Sequence, residues 1–287
     1  MPNLRDIRRR IRSVQNTQQI TKAMKMVAAA KLRRSQEKMI AARPYASKML
    51  EVLNSLATRA DQTKHPLLNV REEKSVRVMV VTADRGLCGA FNTNILRFAA
   101  GFLREQEGKD AAVSLELAGR KGWDYFRRRT YTIEDRWTGL FTKIKYEDAE
   151  TIAAKLIEAY TQEKCDAIYI IYNQFKSVIA QQVVVEKLLP ITRLEPEDGL
   201  AVPDYLYEPS EQELYETLLP KHVTFQVFRA LLESAAAEHA ARMTAMEGAT
   251  NNARDMIDRL TLFANRVRQA AITKEIIEVV SGAQALG

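Results

Sequence analysis

The sequence predicts an α/β domain between two long helices, one at each end of the chain, that pair as an antiparallel two-helix coiled coil. Apolar residues recur every three or four positions through residues 3–58 and again through 210–286. Between these segments, short β-branched runs alternate with amphipathic helices, which favours a mostly parallel, Rossmann-like sheet. A helix of about fifty-five residues spans roughly 80 Å and cannot fold around itself. The two ends are therefore expected to pair, with both termini at one tip and the α/β domain at the other.

The N-terminal segment is predicted to be one helix with an imperfect seam. Its apolar stripe comprises Leu4, Ile7, Ile11 and Val14, followed by Ile20, Met24 and Val27. Polar Gln18, Thr21 and Lys25 occupy positions where a strict heptad would place apolar residues. Such a helix is expected to contact more than one kind of partner along its length. Pro44 is expected to kink it, because an internal proline removes a hydrogen bond and crowds the preceding turn.

The central segment contains four predicted strands and two predicted helices. The strands are rich in β-branched residues and cover 75–81, 113–118, 167–172 and 178–185. The helices cover 91–104 and 147–162, and a linker with several prolines follows at 190–210. The predicted domains are an N-terminal coiled-coil helix, a central α/β domain and a C-terminal coiled-coil helix, with boundaries at 1–60, 70–200 and 210–287.

The C-terminal segment is predicted to be helical, with Pro220 dividing a short helix over 211–219 from a long one. The long helix carries two apolar stripes, which comprise Val223, Val227 and Leu231, and then Met256, Leu260, Phe263, Val267 and Ala270. Small residues dominate the stretch between them. Because small side chains let two helices approach closely, the pair is expected to be narrow there.

Composition excludes several classes of protein. Every stretch of 18 residues carries a charge, which argues against a transmembrane helix, and the N-terminus lacks the apolar core of a signal peptide. Two cysteines make no disulfide framework, and the three histidines lie far apart, so neither a metal nor a cofactor is expected. The net charge of +7 is concentrated at the N-terminus. An acidic or polyanionic partner surface is therefore expected.

The segment Thr82–Asn92, T-A-D-R-G-L-C-G-A-F-N, follows the first predicted strand directly. Gly86 and Gly89 suit a tight strand-to-helix turn. A phosphate cradle is a weaker interpretation, because both glycine-rich phosphate-binding patterns are absent. A nucleophilic Cys88 would need a base, and no histidine lies nearby in the sequence. A nucleotide-binding or thiol enzyme domain over 75–190 stays an alternative.

A nucleic-acid-binding coiled-coil protein is the main alternative for the whole chain. Arg8, Arg9, Arg10 and Arg12 could contact phosphates. However, the apolar stripe from Leu4 runs through the same turns, and the first aromatic residue is Tyr45, so no rings are available there for base stacking.

Three segments resemble the ATP synthase γ subunit family. They are S-V-Q-N-T-Q-Q-I-T-K-A-M-K-M-V-A-A-A-K-L at 13–32, D-R-G-L-C-G-A-F-N at 84–92, and a terminal I-T-x-E-x-x-E-x-x-x-G-A pattern from Ile272 to Ala283. The segment D-Y-L-Y-E-P at 204–209 is similar to the family as well. Together the matches extend over essentially the whole chain.

The resemblance implies a function and a set of partners. In the family, the paired helices lie inside a ring of three α and three β subunits, and the α/β domain sits on the c-ring beside the ε subunit. The chain is then a non-catalytic rotor that couples ion-driven c-ring rotation to the catalytic sites of the ring. It is expected to be peripheral, on the cytoplasmic side of a bacterial plasma membrane.

The resemblance also places contact residues. Rotor–stator contacts with the ring are expected at Lys22, Met24, Lys25, Arg268, Gln269, Thr273, Glu275 and Glu278. Contacts of the α/β foot with the c-ring are expected at Tyr205 and Glu208.

Overall fold

The computed structural model describes residues 4–57, 65–191, 208 and 210–284. Two long helices, α1 (Leu4–Ala57) and α5 (Glu211–Gln284), stand at either end of the chain, with an α/β domain between them in sequence. This arrangement confirms the predicted fold class. Across the described ranges, no helix combines the length and the apolarity needed to cross a bilayer.

The domain is built on one five-stranded sheet in the order β3-β2-β1-β4-β5. Its strands are β1 (Ser75–Val81), β2 (Ala112–Ala118), β3 (Thr132–Trp137), β4 (Ala167–Phe175) and β5 (Gln181–Leu189). The first four are parallel and β5 pairs antiparallel with β4, so the prediction of a mostly parallel sheet is confirmed. Strand β1 is buried on both sides of the sheet, as central parallel strands are.

Three helices pack on this sheet: α2 (Phe91–Glu107), α3 (Arg120–Phe126) and α4 (Tyr146–Thr161). Short 3₁₀ turns occur at Pro66–Leu68 and Leu140–Thr142. Helices α2 and α3 cover one face, where Ile95 and Phe126 join the core. Helix α4 and parts of α1 and α5 cover the other face, where Leu53, Leu156 and Leu231 meet.

Two elements escaped prediction, and one strand was misplaced. Strand β3 reads T-I-E-D-R-W and helix α3 has only seven residues, so neither carries a strong periodic signal. Strand β5 begins at Gln181 instead of residue 178, because Ser177 closes a turn there. The Ser177 Oγ accepts a hydrogen bond from the Ala180 amide at 3.0 Å.

The chain forms two compact units. One consists of 29–242 and contains the sheet. Within it, α1 and α5 run antiparallel: Leu32 packs with Ala236 and Ala240, and the ring of Tyr45 lies 5.7 Å from that of Phe225. The small alanines thus sit where the two helices touch, as the small-residue stretch predicted.

The other unit consists of Met1–Ala28 and Met243–Gly287. Its described part is a helix pair, also antiparallel. The Thr21 and Thr250 hydroxyls are 2.8 Å apart, and Lys25 Nζ lies 2.6 Å from Glu247 Oε1. The seam of α1 follows a strict heptad through Ile7, Ile11, Val14, Gln18, Thr21, Lys25 and Ala28, all buried or half-buried.

This seam corrects both predicted stripes. Ile20 and Val27 are exposed, because Thr21 and Ala28 face α5 in their place. On α5, Met256 and Phe263 are exposed, as is Ala270. The seam there passes instead through four half-buried residues: Ile257, Leu260, Ala264 and Val267.

The predicted division of α5 at Pro220 is wrong, because the helix continues through it. Tyr215, Leu219 and Val223 are fully buried on one face before and after the proline. Packing of this face offsets the roughly 3 kcal/mol that an internal proline costs. Helix α1 likewise continues through Pro44, and the kink expected there stays a prediction.

Candidate functional site

The turn between β1 and α2 is held by two side chains. The Asn92 Oδ1 accepts a hydrogen bond from the Ala83 amide at 3.0 Å. Asp84 accepts from the Arg120 amide through Oδ1 and from the Gly139 amide through Oδ2, both at 3.1 Å. These contacts explain the motif as a tight strand-to-helix turn, which was the interpretation favoured by the sequence.

Only one of the two predicted turn glycines adopts a conformation that favours glycine. Gly89 adopts a φ of +57°, whereas a side chain at Gly86 would meet no atom within 4 Å and no positive φ is found there. The neighbouring Leu87 takes the left-handed conformation instead, with a φ of +62° and an exposed side chain.

Helix α5 fills the position where a doubly wound sheet binds ligands. That position is the crevice at the carboxyl ends of the strands where the strand order reverses, here β1 and β4. Ala237 of α5 packs there against Ala83, Cys88 and Phe91. Arg242 adds a hydrogen bond from Nη2 to the Gly86 carbonyl oxygen at 3.2 Å. The crevice in which a domain of this fold would bind a nucleotide is therefore filled by helix α5 of the chain itself.

The two cysteines are free and buried. Burial raises the pKa of the Cys88 thiol, and burial raises that of Cys165 to about 11. Because the thiolate is the nucleophile, both groups are inert at neutral pH. The thiol-enzyme alternative therefore loses its candidate nucleophile.

Two histidines on α5 are buried in the neutral form. Burial lowers the pKa of His222 to about 4, with a smaller effect of Arg229, and that of His239 to about 4, with smaller effects of Arg242 and Lys31. Glu238 beside His239 forms a 2.6 Å ion pair with Arg242, and burial raises the pKa of this carboxyl.

We expect the chain to lose stability as the pH falls from about 6.5 to about 4. In that window the unfolded histidines bind protons and the folded ones do not, so each histidine contributes up to about 3 kcal/mol of destabilisation at the lower end. The raised pKa of Glu238 acts in the opposite direction. Replacing His239 with Gln should therefore make denaturant unfolding less pH-dependent between pH 7 and 4.5. An unchanged pH dependence in this variant would contradict the assignment.

The predicted contact residues near the N-terminus differ in their surroundings. Lys22 is exposed and Met24 is half-buried. Lys25 is half-buried, and its ammonium pairs with Glu247 across the helix pair. The structure thus gives Lys25 a partner within the chain, which the sequence did not indicate.

The predicted contact residues near the C-terminus lie on one stretch of α5. From 268 to 284 every residue is exposed, including Arg268, Gln269, Thr273 and Glu275. Glu278 is exposed as well and lies 3.4 Å from Lys274. Tyr205 lies outside the described residues, and Glu208 is exposed.

This stretch has an apolar face that the sequence analysis did not single out. Its members recur at helical spacing and are exposed by half or more of their surface in most cases: Ile272 48%, Ile276 57%, Val279 72% and Val280 50%. The opposite face carries Lys274, Glu278 and Ser281, and Ile277, which is 58% exposed, borders it. A contiguous exposed apolar face of this kind marks an interaction surface. The sequence I-T-K-E-I-I-E-V-V already carries this apolar spacing, beside the two glutamates of the family pattern.

Comparison with known proteins decides the family. A family model described as ATP synthase matches residues 3–286. The ATP synthase gamma chain of Geobacter sp. (strain M21) is 49% identical over 286 residues, which cover 100% of this chain and 99% of that protein. That of Pelotomaculum thermopropionicum is 51% identical and covers 100% of both chains. The chain belongs to the ATP synthase gamma chain family.

Solved structures agree with this family assignment. The chain from the Tetrahymena thermophila mitochondrial ATP synthase central stalk and c-ring structure is 29% identical, with a TM-score of 0.60, over 80% of this chain and 99% of that one. A chain of the Euglena gracilis mitochondrial ATP synthase rotor is 20% identical with a TM-score of 0.64, over 94% and 98%. At that identity the second likeness shows the fold alone. The comparisons give no support to a nucleic-acid-binding function.

Proposed function

We propose that this chain is the central rotor subunit of a bacterial ATP synthase and has no catalytic site of its own. It couples ion-driven rotation of a c-ring to conformational changes at the catalytic sites of a ring of α and β subunits. The observation that carries the proposal is the helical stretch 268–284, whose apolar face finds no cover among the described residues. Inside a ring of subunits this face would be buried.

The physical basis of coupling is differential binding. A rotating shaft can change the nucleotide affinity of a distant catalytic site only in one way. In each orientation it must bind the different conformations of that site with different free energies. The stretch 268–284 is apolar on one side and charged on the other, so its two sides would meet a surrounding ring differently. The filled crevice at the sheet and the inert thiols agree with a subunit that does no chemistry.

The partners follow from this role. We infer contacts with the α and β subunits along the helix pair, and with the ε subunit and c-ring at the α/β domain, where Tyr205 and Glu208 are the proposed foot residues. The complex would lie on the cytoplasmic side of the bacterial plasma membrane, with this chain peripheral to it. A cysteine at Glu208 that fails to cross-link to the c-ring in the assembled complex would refute the placement of that residue.

Co-expression with α and β subunits tests the assignment. We expect a stoichiometric complex that hydrolyses ATP and contains one copy of this chain. Recovery of an α–β complex that excludes the chain would refute the proposal.

Lys25 offers a test of the proposed rotor–stator contacts, because its pairing within the chain can be separated from a contact with the ring. Lys25→Glu should cost about 1 kcal/mol of stability, since two carboxylates then face each other. The swap Lys25→Glu with Glu247→Lys restores the pair but leaves the charges exchanged. If Lys25 contacts the ring, the swap recovers the unfolding free energy, while ATP-driven ion pumping stays impaired.

A control for this test comes from the other end of the contact set. Arg268→Ala with Gln269→Ala removes exposed side chains that lie outside the seam between the two helices, so the free energy of unfolding should stay unchanged.

Full recovery of pumping by the Lys25 and Glu247 swap would show that Lys25 acts only within the helix pair.

A further inference from the structure

An open groove lies where helices α1, α4 and α5 meet, within the unit 29–242. Its volume is about 800 Å³, inside the range of roughly 300–1,000 Å³ typical of binding pockets. Ala42 of α1, Ala154 and Ile157 of α4, and Pro220 of α5 line its apolar part. Among the described residues, no proposed rotor–stator residue lines it, and neither does Glu208.

Two aromatic pairs form much of the lining. The ring of Tyr45 lies 5.7 Å from that of Phe225, and the ring of Tyr146 lies 5.6 Å from that of Phe228 at an interplanar angle of 72°. Phe225 is buried, which fixes its position, whereas Tyr45 is 50% exposed. Aromatic side chains that are already held in place and partly open to solvent are the groups that dominate protein interfaces.

The rim of the groove is acidic although the chain as a whole is basic. Glu150 and Glu158 lie two turns apart on the same side of α4, both exposed, and Lys221 is the cation on the α5 side. Between Tyr146 and Thr161, helix α4 carries four carboxylates and a single lysine, in a chain of net charge +7. Proximity of Glu150 also contributes to the raised pKa of Tyr146, after burial and Tyr45.

We propose that this groove binds an amphipathic helix of another ATP synthase subunit, whose apolar side chains enter between the aromatic pairs and whose Lys or Arg residues meet Glu150 and Glu158. The inference rests on the proposed function, which makes this chain part of a multisubunit complex. An open apolar groove between helices is the form that accepts a helix. The acidic rim selects a basic partner and disfavours anionic surfaces, and it would repel the same rim on a second copy.

A photoreactive residue in the groove tests this directly. We replace Ala154, which is exposed and lines the groove, with p-benzoylphenylalanine and irradiate the complete purified ATP synthase. The expected product is an adduct with one other subunit, on a helical segment that has a Lys or Arg within one turn of the attachment point. Glu150→Lys with Glu158→Lys should lower the adduct yield at least about fivefold, because like charges then face each other.

A matched variant and a second readout keep the test decisive. Glu147→Lys reverses an exposed charge on the same helix outside the groove and should leave the yield unchanged. If the double reversal prevents folding, Glu150→Gln with Glu158→Gln replaces it, with a smaller loss of yield expected. Absence of an intersubunit adduct, an adduct with a second copy or with a segment lacking basic residues, or equal yields in all variants would overturn the inference.

The same preparations separate this inference from the proposed function. A complex that pumps ions with ATP but gives no adduct refutes the groove inference and leaves the rotor assignment intact. A chain that does not enter the complex refutes the rotor assignment, and the groove inference with it.

Discussion

Gly119→Ala should cost at least about 3 kcal/mol of stability, the largest loss expected from any single methyl group in the domain. Gly119 has a φ of +93°, and an added Cβ would lie 2.0 Å from the Thr82 carbonyl oxygen. Neither backbone segment can move away easily. The Gly119 amide donates to the Trp137 carbonyl at 2.7 Å, and the Thr82 amide donates to the Ala118 carbonyl at 2.8 Å.

Gly139→Ala is the matched control for this substitution. Gly139 also has a positive φ, +84°, but no atom lies within 4 Å of the added Cβ. Only the conformational cost of roughly 1–2 kcal/mol is then expected. The chain's two tryptophans, Trp123 and Trp137, follow Gly119 in sequence, so their fluorescence during denaturant unfolding reports on this region. Equal losses for both glycines would show that the close contact with Thr82 is not present in solution.

Ile276→Asp should weaken binding of the α–β ring at least about tenfold and leave the stability of the free chain within about 0.5 kcal/mol of the parent. Ile276 is already 57% exposed in the free chain, so a carboxylate there loses little. In the complex the same carboxylate would be buried without a partner, which costs several kcal/mol. Affinity for the ring and ATP-driven ion pumping are the measurements.

Ser281→Asp serves as the control on the charged side of the same helical stretch. It introduces the same carboxylate five residues away, among Lys274 and Glu278, and we expect a much smaller loss of affinity. If both substitutions weaken binding equally, the apolar face has no special role, and general charge effects explain the result.

Much of the fold follows from local patterns in the sequence. Strands β1, β2 and β4 were predicted because their β-branched runs are buried by helices on both sides, so the pattern is continuous and strong. Strand β3 was missed because it is an edge strand with three charged residues among six, the composition that protects sheet edges from further pairing.

One helix alone gave two possible registers for the coiled coil. The strict heptad places Thr21 in the seam, whereas hydrophobicity favours Ile20, and the structure follows the heptad. The choice of Thr21 depends on Thr250, which is 229 residues away in the sequence. Likewise, the ion pair of Lys25 with Glu247 exists only once the two ends meet.

The sequence predicted where the candidate contact surface lies, at the C-terminal end of α5, but not that its exposed face is apolar. The family motifs place contacts at polar residues near the C-terminus. The apolar spacing that begins at Ile272 is visible in the sequence, but only the structure shows that this face is exposed and not part of the helix pair. The filled crevice at Ala237 was also beyond prediction, because a stretch of small residues does not indicate what it packs against.

Single-molecule rotation tests the central claim most directly. A bead is attached through a cysteine introduced at Thr93, an exposed residue of α2, in a chain whose own two cysteines are buried. The chain is assembled with α and β subunits fixed to a surface. A rotor turns the bead steadily in one direction while ATP is hydrolysed. A complex that hydrolyses ATP while the bead holds its angle or only fluctuates would contradict the account.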